Sequence, residues 1–72
     1  MKYTNEQRER IKKAITKKDR EKLVAVFGKL QTRQYANGLK PVSPRRANII
    51  ASLLGKPGII RLLIPALFEK SA

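Results

Sequence analysis

The sequence predicts an all-α or mostly α fold, a compact bundle of four to five short helices spanning residues 1–72 as one domain. Three observations predict it. Capping residues stand just before apolar runs: Thr4 with Gln7 three places on, Asp19, and Ser43 followed by Pro44. Glycine closes those runs at Gly28 and Gly55. Between these marks the apolar residues recur at helical spacing. A chain this short buries only about 60% of its unfolded surface, which suffices for one core and not two. With 42% hydrophobic residues and no cysteine, that core must be held by packing, without disulfides or thiolate metal sites.

Taken in order, the Thr4/Gln7 capping box opens a first helix over about residues 5–17, with Ile11, Ala14 and Ile15 on one face and a strongly basic surface. Asp19 reads as the N-cap of a second helix over about 20–27, whose Leu23, Val24, Val26 and Phe27 form a buried stripe and whose Gly28 supplies the left-handed closing position. The polar segment from Lys29 to Gly38 follows. Ser43 caps a helix that begins at Pro44, where the missing N–H costs nothing, and that buries Ala47, Ile50, Ala51 and Leu54 before Gly55 ends it. After the Lys56-Pro57-Gly58 turn, the apolar run Ile59–Ile64 is too short for periodicity to type as helix or strand. Pro65 breaks it, and the apolar C-terminal segment as a whole runs over about 59–68.

The charge says what kind of partner to expect. There are 17 Lys and Arg against 5 Asp and Glu, a net charge of +12, and the acids are Glu6, Glu9, Asp19, Glu21 and Glu69. The stretch from Lys22 to Phe68 therefore holds no carboxylate, while Lys22, Lys29, Arg33, Lys40, Arg45, Arg46, Lys56 and Arg61 lie in it unopposed. A merely solvated surface mixes both signs; this distribution is that of a polyanion-binding protein. The N-terminus lacks the apolar h-region of a secretory signal, and the longest apolar run is interrupted by Arg61 and Pro65 well short of a membrane span. A soluble, cytoplasmic protein associated with the bacterial nucleoid is expected, with no membrane partner.

Catalysis is not expected. General acid–base or nucleophilic chemistry needs titratable groups that converge, and the chain has no His, no Cys and a single Asp. No phosphate-binding glycine motif is present, a metal site would have to draw on scattered acids without histidine, and neither a cofactor nor a small-molecule substrate is implied.

Two short helices meeting at a glycine-containing turn, the second polar and basic, describe a helix-turn-helix. The residues Phe27-Gly28, then Tyr35-Ala36-Asn37-Gly38-Leu39-Lys40-Pro41-Val42-Ser43-Pro44-Arg45-Arg46-Ala47, and finally Gly58-Ile59-Ile60-Arg61 and Pro65-Ala66-Leu67-Phe68, resemble the small Cro-type regulators of phages over roughly residues 20–68. In that family the recognition helix ends in an aromatic residue and a glycine ahead of a Pro-containing stretch that caps the next helix. The resemblance implies that Gln31 to Asn37 is the recognition helix and that Tyr35 packs its inner side. Gly28 and Gly38 stand closer together than the family's corresponding glycines, which predicts a shortened turn or recognition helix.

The residues then sort by chemistry. Gln31, Arg33, Gln34 and Asn37 carry the paired donors and acceptors that read base edges, Arg on guanine and Gln or Asn on adenine, and Thr32 joins them as a contact to a thymine methyl or a phosphate. Lys29, Lys40, Arg45 and Arg46 flank them as phosphate contacts. Tyr35 and Phe68 read as core. The apolar excess at Ile59, Ile60, Leu63, Leu67 and Phe68 is the natural seam of a homodimer reading two half-sites. The expected function is a sequence-specific double-stranded DNA-binding transcriptional regulator of phage or prophage origin, a Cro-like repressor. The alternatives are a basic RNA-binding module, which would ignore duplex sequence, and a phage-encoded adaptor or inhibitor that covers an acidic host protein.

Overall fold

The structure, a computed structural model, describes residues 3–64. The fold is all-α: α1 (Asn5–Ala14), α2 (Lys17–Ala36), α3 (Pro44–Leu54), a single 3-10 turn (Pro57–Ile59) and α4 (Ile60–Leu63). Among the described residues there is no strand, and no helix is long and apolar enough to cross a membrane.

The capping chemistry sets most of the boundaries. Thr4 opens α1 with a complete capping box: its hydroxyl accepts from the Gln7 N–H at 3.1 Å, and the Gln7 side chain accepts from the Thr4 N–H at 2.8 Å. Ser43 does the same service for α3, accepting from the Arg46 N–H at 3.2 Å ahead of Pro44, and Gly55 closes that helix in the left-handed conformation. The apolar run after Pro57 resolves as helix.

The start of α2 differs from the sequence expectation. The helix begins at Lys17, capped by Thr16, and Asp19 is the third residue of a second capping box instead of the cap itself. The Asp19 N–H donates to the Thr16 hydroxyl at 3.2 Å, and the Asp19 carboxylate accepts the Thr16 N–H at 3.0 Å. The physical reason is local, since Thr16 and Asp19 satisfy each other's N–H groups across the first turn, and the same carboxylate also takes a distant partner. Lys56 Nζ donates to Asp19 Oδ2 at 2.5 Å and to the Ala14 carbonyl at 3.0 Å. One buried carboxylate thus joins the end of α1, the start of α2 and the connector after α3. Lys56, which reads in the sequence as an unopposed cation, is spent inside the fold.

Gly28 is the second departure. The sequence places it at a left-handed helix end, but its backbone takes φ 84°, ψ 167°, a region open essentially to glycine alone, and helix resumes at once on the far side. The shortened turn predicted from the glycine spacing is therefore one residue long. The consequence is large. In a straight helix Arg20 and Asn37 would stand about 26 Å apart along the axis. Instead Arg20 Nη2 donates to the Asn37 side-chain oxygen at 2.7 Å. Helix α2 is folded back into two arms, residues 17–27 and 29–36.

The core draws on every element, most heavily on α3: Tyr3, Ile11, Ile15, Leu23, Tyr35, Ala36, Val42, Ala47, Ile50, Ala51, Leu54, Ile59 and Leu63. The stripe expected on α3 is buried as read; of that expected on the first helix, Ile11 and Ile15 are buried and Ala14 half-buried, and α1 ends at Ala14 with Ile15 as its C-cap, short of the expected residue 17. On the first arm Leu23 is buried and Val24 and Phe27 are half-buried, but Val26, expected in the same stripe, is 54% exposed. The buried Tyr3 hydroxyl donates to the Leu63 carbonyl and accepts the Val42 N–H at 3.3 Å, stitching the N-terminus to α4 and to the loop before α3. Burial pushes that phenol above its ordinary pKa, against a smaller lowering by the Val42 bond.

Ile59 and Leu63, expected at a dimer seam, are 3% and 0% exposed within the single chain, and Ile60 is half-buried against the same core. They close the monomer because α4 has no other means of burying its short apolar face. Leu67 and Phe68, the other expected seam residues, lie outside the described residues, as does the reading of Phe68 as core.

Two predictions test these junctions. Burial alone would raise the Asp19 pKa; the bonds from Lys56 and from the Thr16 N–H and hydroxyl, with the Lys56 charge, outweigh it and hold the carboxyl below its usual range. A group depressed on folding stabilises above its unfolded pKa and loses that contribution as pH falls through the folded value. Asp19→Asn is expected to cost about 1–3 kcal/mol at pH 7. In urea denaturation the gap between the two proteins should narrow as pH drops below about 4. At Gly28 no atom lies within 4 Å of an added Cβ, so the constraint is purely conformational. L-Ala there is expected to cost about 1–3 kcal/mol, whereas D-Ala, placed by chemical synthesis, should keep the melting temperature near that of the native chain.

Candidate nucleic-acid interface

The bend decides which side chains of the second arm face outward. Helical spacing over residues 29–36 sends Thr32, Tyr35 and Ala36 into the core, at 3%, 4% and 0% exposure. Opposite them the arm presents Lys29, Leu30 and Arg33 exposed and Gln34 half-buried at the edge. Lys40 and Arg45 are exposed beyond it, in the loop and in the first turn of α3. The outward surface carries no carboxylate, so its cations are opposed by nothing on their own arm.

The expected base readers divide. Arg33 and Gln34 lie on the outward face. Thr32 does not: it is 3% exposed with its hydroxyl unpartnered within the protein, turned away from the surface that a base or a phosphate could reach. Gln31 is half-buried with its carbonyl oxygen enclosed, which removes the acceptor that a paired bond to adenine requires. Asn37 is the C-cap of α2. Its side chain is held by Arg20, and its carbonyl accepts Arg8 Nε at 3.4 Å, so it serves the junction between α1 and α2. The close approach there also fixes Gly38, where an added Cβ would stand 3.2 Å from the Arg8 Cα and 3.0 Å from its side chain.

Among the expected phosphate contacts, Lys29, Lys40 and Arg45 are exposed, and Arg46 is half-buried. Arg46 has a second employment. Its guanidinium donates to the Tyr35 hydroxyl at 2.7 Å and lies 5.5 Å from the centre of the Phe27 ring and 6.0 Å from that of Tyr35. Phe27 and Tyr35 meet edge to face at 5.5 Å, although a straight helix would part them by about 12 Å along its axis. One residue from each arm and one from α3 therefore form a stack that fixes the angle of the bend. The sequence signal for it was present in Phe27 ahead of Gly28 and Tyr35 at the end of the polar segment, but their pairing depends on the fold-back.

The basic surface of α1 is partly balanced by its own acids: Arg10 pairs with Glu6 at 3.4 Å and Lys12 with Glu9 at 3.6 Å. Such exposed pairs contribute a few tenths of a kcal/mol at most. Among the described residues, no group of three or more acids could hold a metal ion.

The class defined by this geometry is a small α-helical bundle that displays a short basic helix on a sharply bent helix pair. No protein-family model, no curated protein and no solved structure matches the chain.

The stack yields a direct test. Tyr35→Phe keeps the ring and deletes the acceptor, and is expected to cost about 0.5–1.5 kcal/mol in chemical denaturation. Arg46→Met should cost a similar amount. In the double variant the losses should fall short of additivity by most of one bond's worth, since each change removes the same contact.

Proposed function

We propose that the chain is a non-catalytic, sequence-specific double-stranded DNA-binding regulator, similar in kind to the Cro-type repressors of phages, acting in the cytoplasm at the bacterial nucleoid. The observation that carries the reading is the fold-back of α2 at Gly28. It leaves an eight-residue arm, 29–36, whose outward face is polar and cationic and whose inward face is packed. A helix held by one face and free on the other is what a major groove admits.

The division of labour follows from side-chain chemistry. Arg33 offers a fork of donors to the O6 and N7 of guanine, and Gln34 pairs with adenine. Lys29, Lys40 and Arg45 surround them with charge that fixes register on the phosphates without reading sequence. Arg46 adds charge at the same edge while its stack on Phe27 and Tyr35 keeps the arm at a constant angle to α3. A homodimer belongs to this reading, because two arms about one helical turn apart read a palindromic site. With Ile59 and Leu63 committed to the core, the second copy meets the chain on another surface. Occupation of promoter DNA is then sufficient for repression.

The test is selection of binding sites by the purified protein from a random duplex library at physiological salt, followed by affinities of variants on the recovered site. Arg33→Ala is expected to relax discrimination at one base pair of each half-site by about 1–3 kcal/mol. Lys40→Ala should weaken all duplexes alike and lower the slope of log affinity against log salt by about 1. Recovery of no motif, with equal losses for both variants, would remove sequence-specific DNA binding. Preferential retention of RNA would favour an RNA-binding module.

A further inference from the structure

Of the large apolar side chains left exposed, Leu30 is the most open, at 65%, ahead of Val26 and Leu39 at 54% each, Ile49 at 43% and Leu53 at 37%. A lone exposed leucine is ordinary on a protein surface. This one differs in its setting. It stands on the outward side of the second arm, between the exposed cations Lys29 and Arg33 in sequence, and every other apolar residue of that arm, Tyr35 and Ala36, is buried. It also lies at the N-terminal end of the arm, the end that meets base edges when a recognition helix enters the major groove.

An exposed apolar side chain on the same arm as two exposed cations, with no carboxylate on that arm, fits a partner that is anionic over its surface and apolar at one place. The edges of the major groove meet that description at a single chemical feature, the C5 methyl group of thymine. Aspartate- or glutamate-rich protein surfaces satisfy the cations and leave the leucine against water. We infer that Leu30 reads a thymine methyl, which makes it a specificity-determining residue beside Arg33 and Gln34. The inference rests on the DNA-binding reading above and specifies the base that reading leaves open: a thymine next to the pair contacted by Arg33.

Deoxyuridine pairs as thymine does and lacks only the methyl group, so it isolates this contact. The full-length chain and Leu30→Ala are each measured against the duplex recovered by selection, with every thymine replaced in turn by deoxyuridine. Leu30 is exposed, so the variant keeps the fold, which circular dichroism verifies. At one thymine of each half-site the replacement is expected to weaken the native protein by roughly three- to fivefold, the worth of one buried methyl group. The same replacement should change the Leu30→Ala affinity by less than about twofold. Equal penalties for both proteins at every position, no penalty anywhere, or a selected site without thymine would each overturn the assignment. If the native protein selects no duplex sequence at all, the DNA-binding reading itself fails and the Leu30 assignment falls with it; a motif without coupling to Leu30 removes the assignment alone.

Discussion

A backbone conformation available to glycine, at φ 84° and ψ 167° in residue 28, is the constraint from which the rest of the arrangement follows. Twenty residues of otherwise continuous helix would reach about 30 Å and expose apolar residues along their whole length. With the break, Leu23 on one arm and Tyr35 and Ala36 on the other share one core with α3. Little intrinsic energy holds a one-residue turn, so the angle is set from outside it. The Phe27–Tyr35–Arg46 stack closes the inner side of the bend, and the Arg20–Asn37 bond ties the far ends of the arms. Both are made by side chains that a straight α2 would hold far apart.

The opposite end of the first arm is secured electrostatically. A chain with a net charge of +12 repels itself, and a compact state is favoured where its few acids neutralise cations at structural junctions. Asp19 does this at 5% exposure, serving two backbone and hydroxyl partners at Thr16 and the Lys56 ammonium together. Glu6 and Glu9 offset cations on α1. One acid thus sits at a junction and two lie on α1, while the second arm and the start of α3 carry cations without a carboxylate of their own. The charge asymmetry seen along the sequence becomes an asymmetry in space.

How far the sequence could be read depends on the range of the interaction in question. Local devices were legible: the Thr4/Gln7 box, Ser43 with Pro44, Gly55, and the i, i+3, i+4 faces of α1 and α3 each act within a turn of helix. Asp19 was misplaced by three residues although the deciding partner, Thr16, is local and of the same kind as the Thr4/Gln7 box; only its bond to Lys56, 37 positions away, was beyond the reach of a local reading. Ile59 and Leu63 read as surplus because the core they complete is assembled from Ile11, Leu23 and Ile50 in other elements. On the second arm, residue type proposed five base readers alike, and the structure leaves Arg33 and Gln34 on the outward side while the phase of the arm turns Gln31 and Thr32 inward and Asn37 engages Arg8 and Arg20. Leu30 was passed over for the converse reason: a leucine suggests core unless the orientation of its helix is known. Counting from Gly28 with Tyr35 and Ala36 on the inner side would have placed it outward.

The central claim is that the outward face of residues 29–36 is the surface that meets DNA. Titration of the isotopically labelled chain with the selected duplex, followed by amide and arginine side-chain NMR, tests it most directly. The account predicts the largest shifts at Lys29, Leu30, Arg33 and Gln34, with Lys40 and Arg45 beside them, and small ones at Lys12 and Lys13 of α1. A footprint centred on α1, with residues 29–34 undisturbed, would contradict it and assign the positive charge of the chain to a different partner.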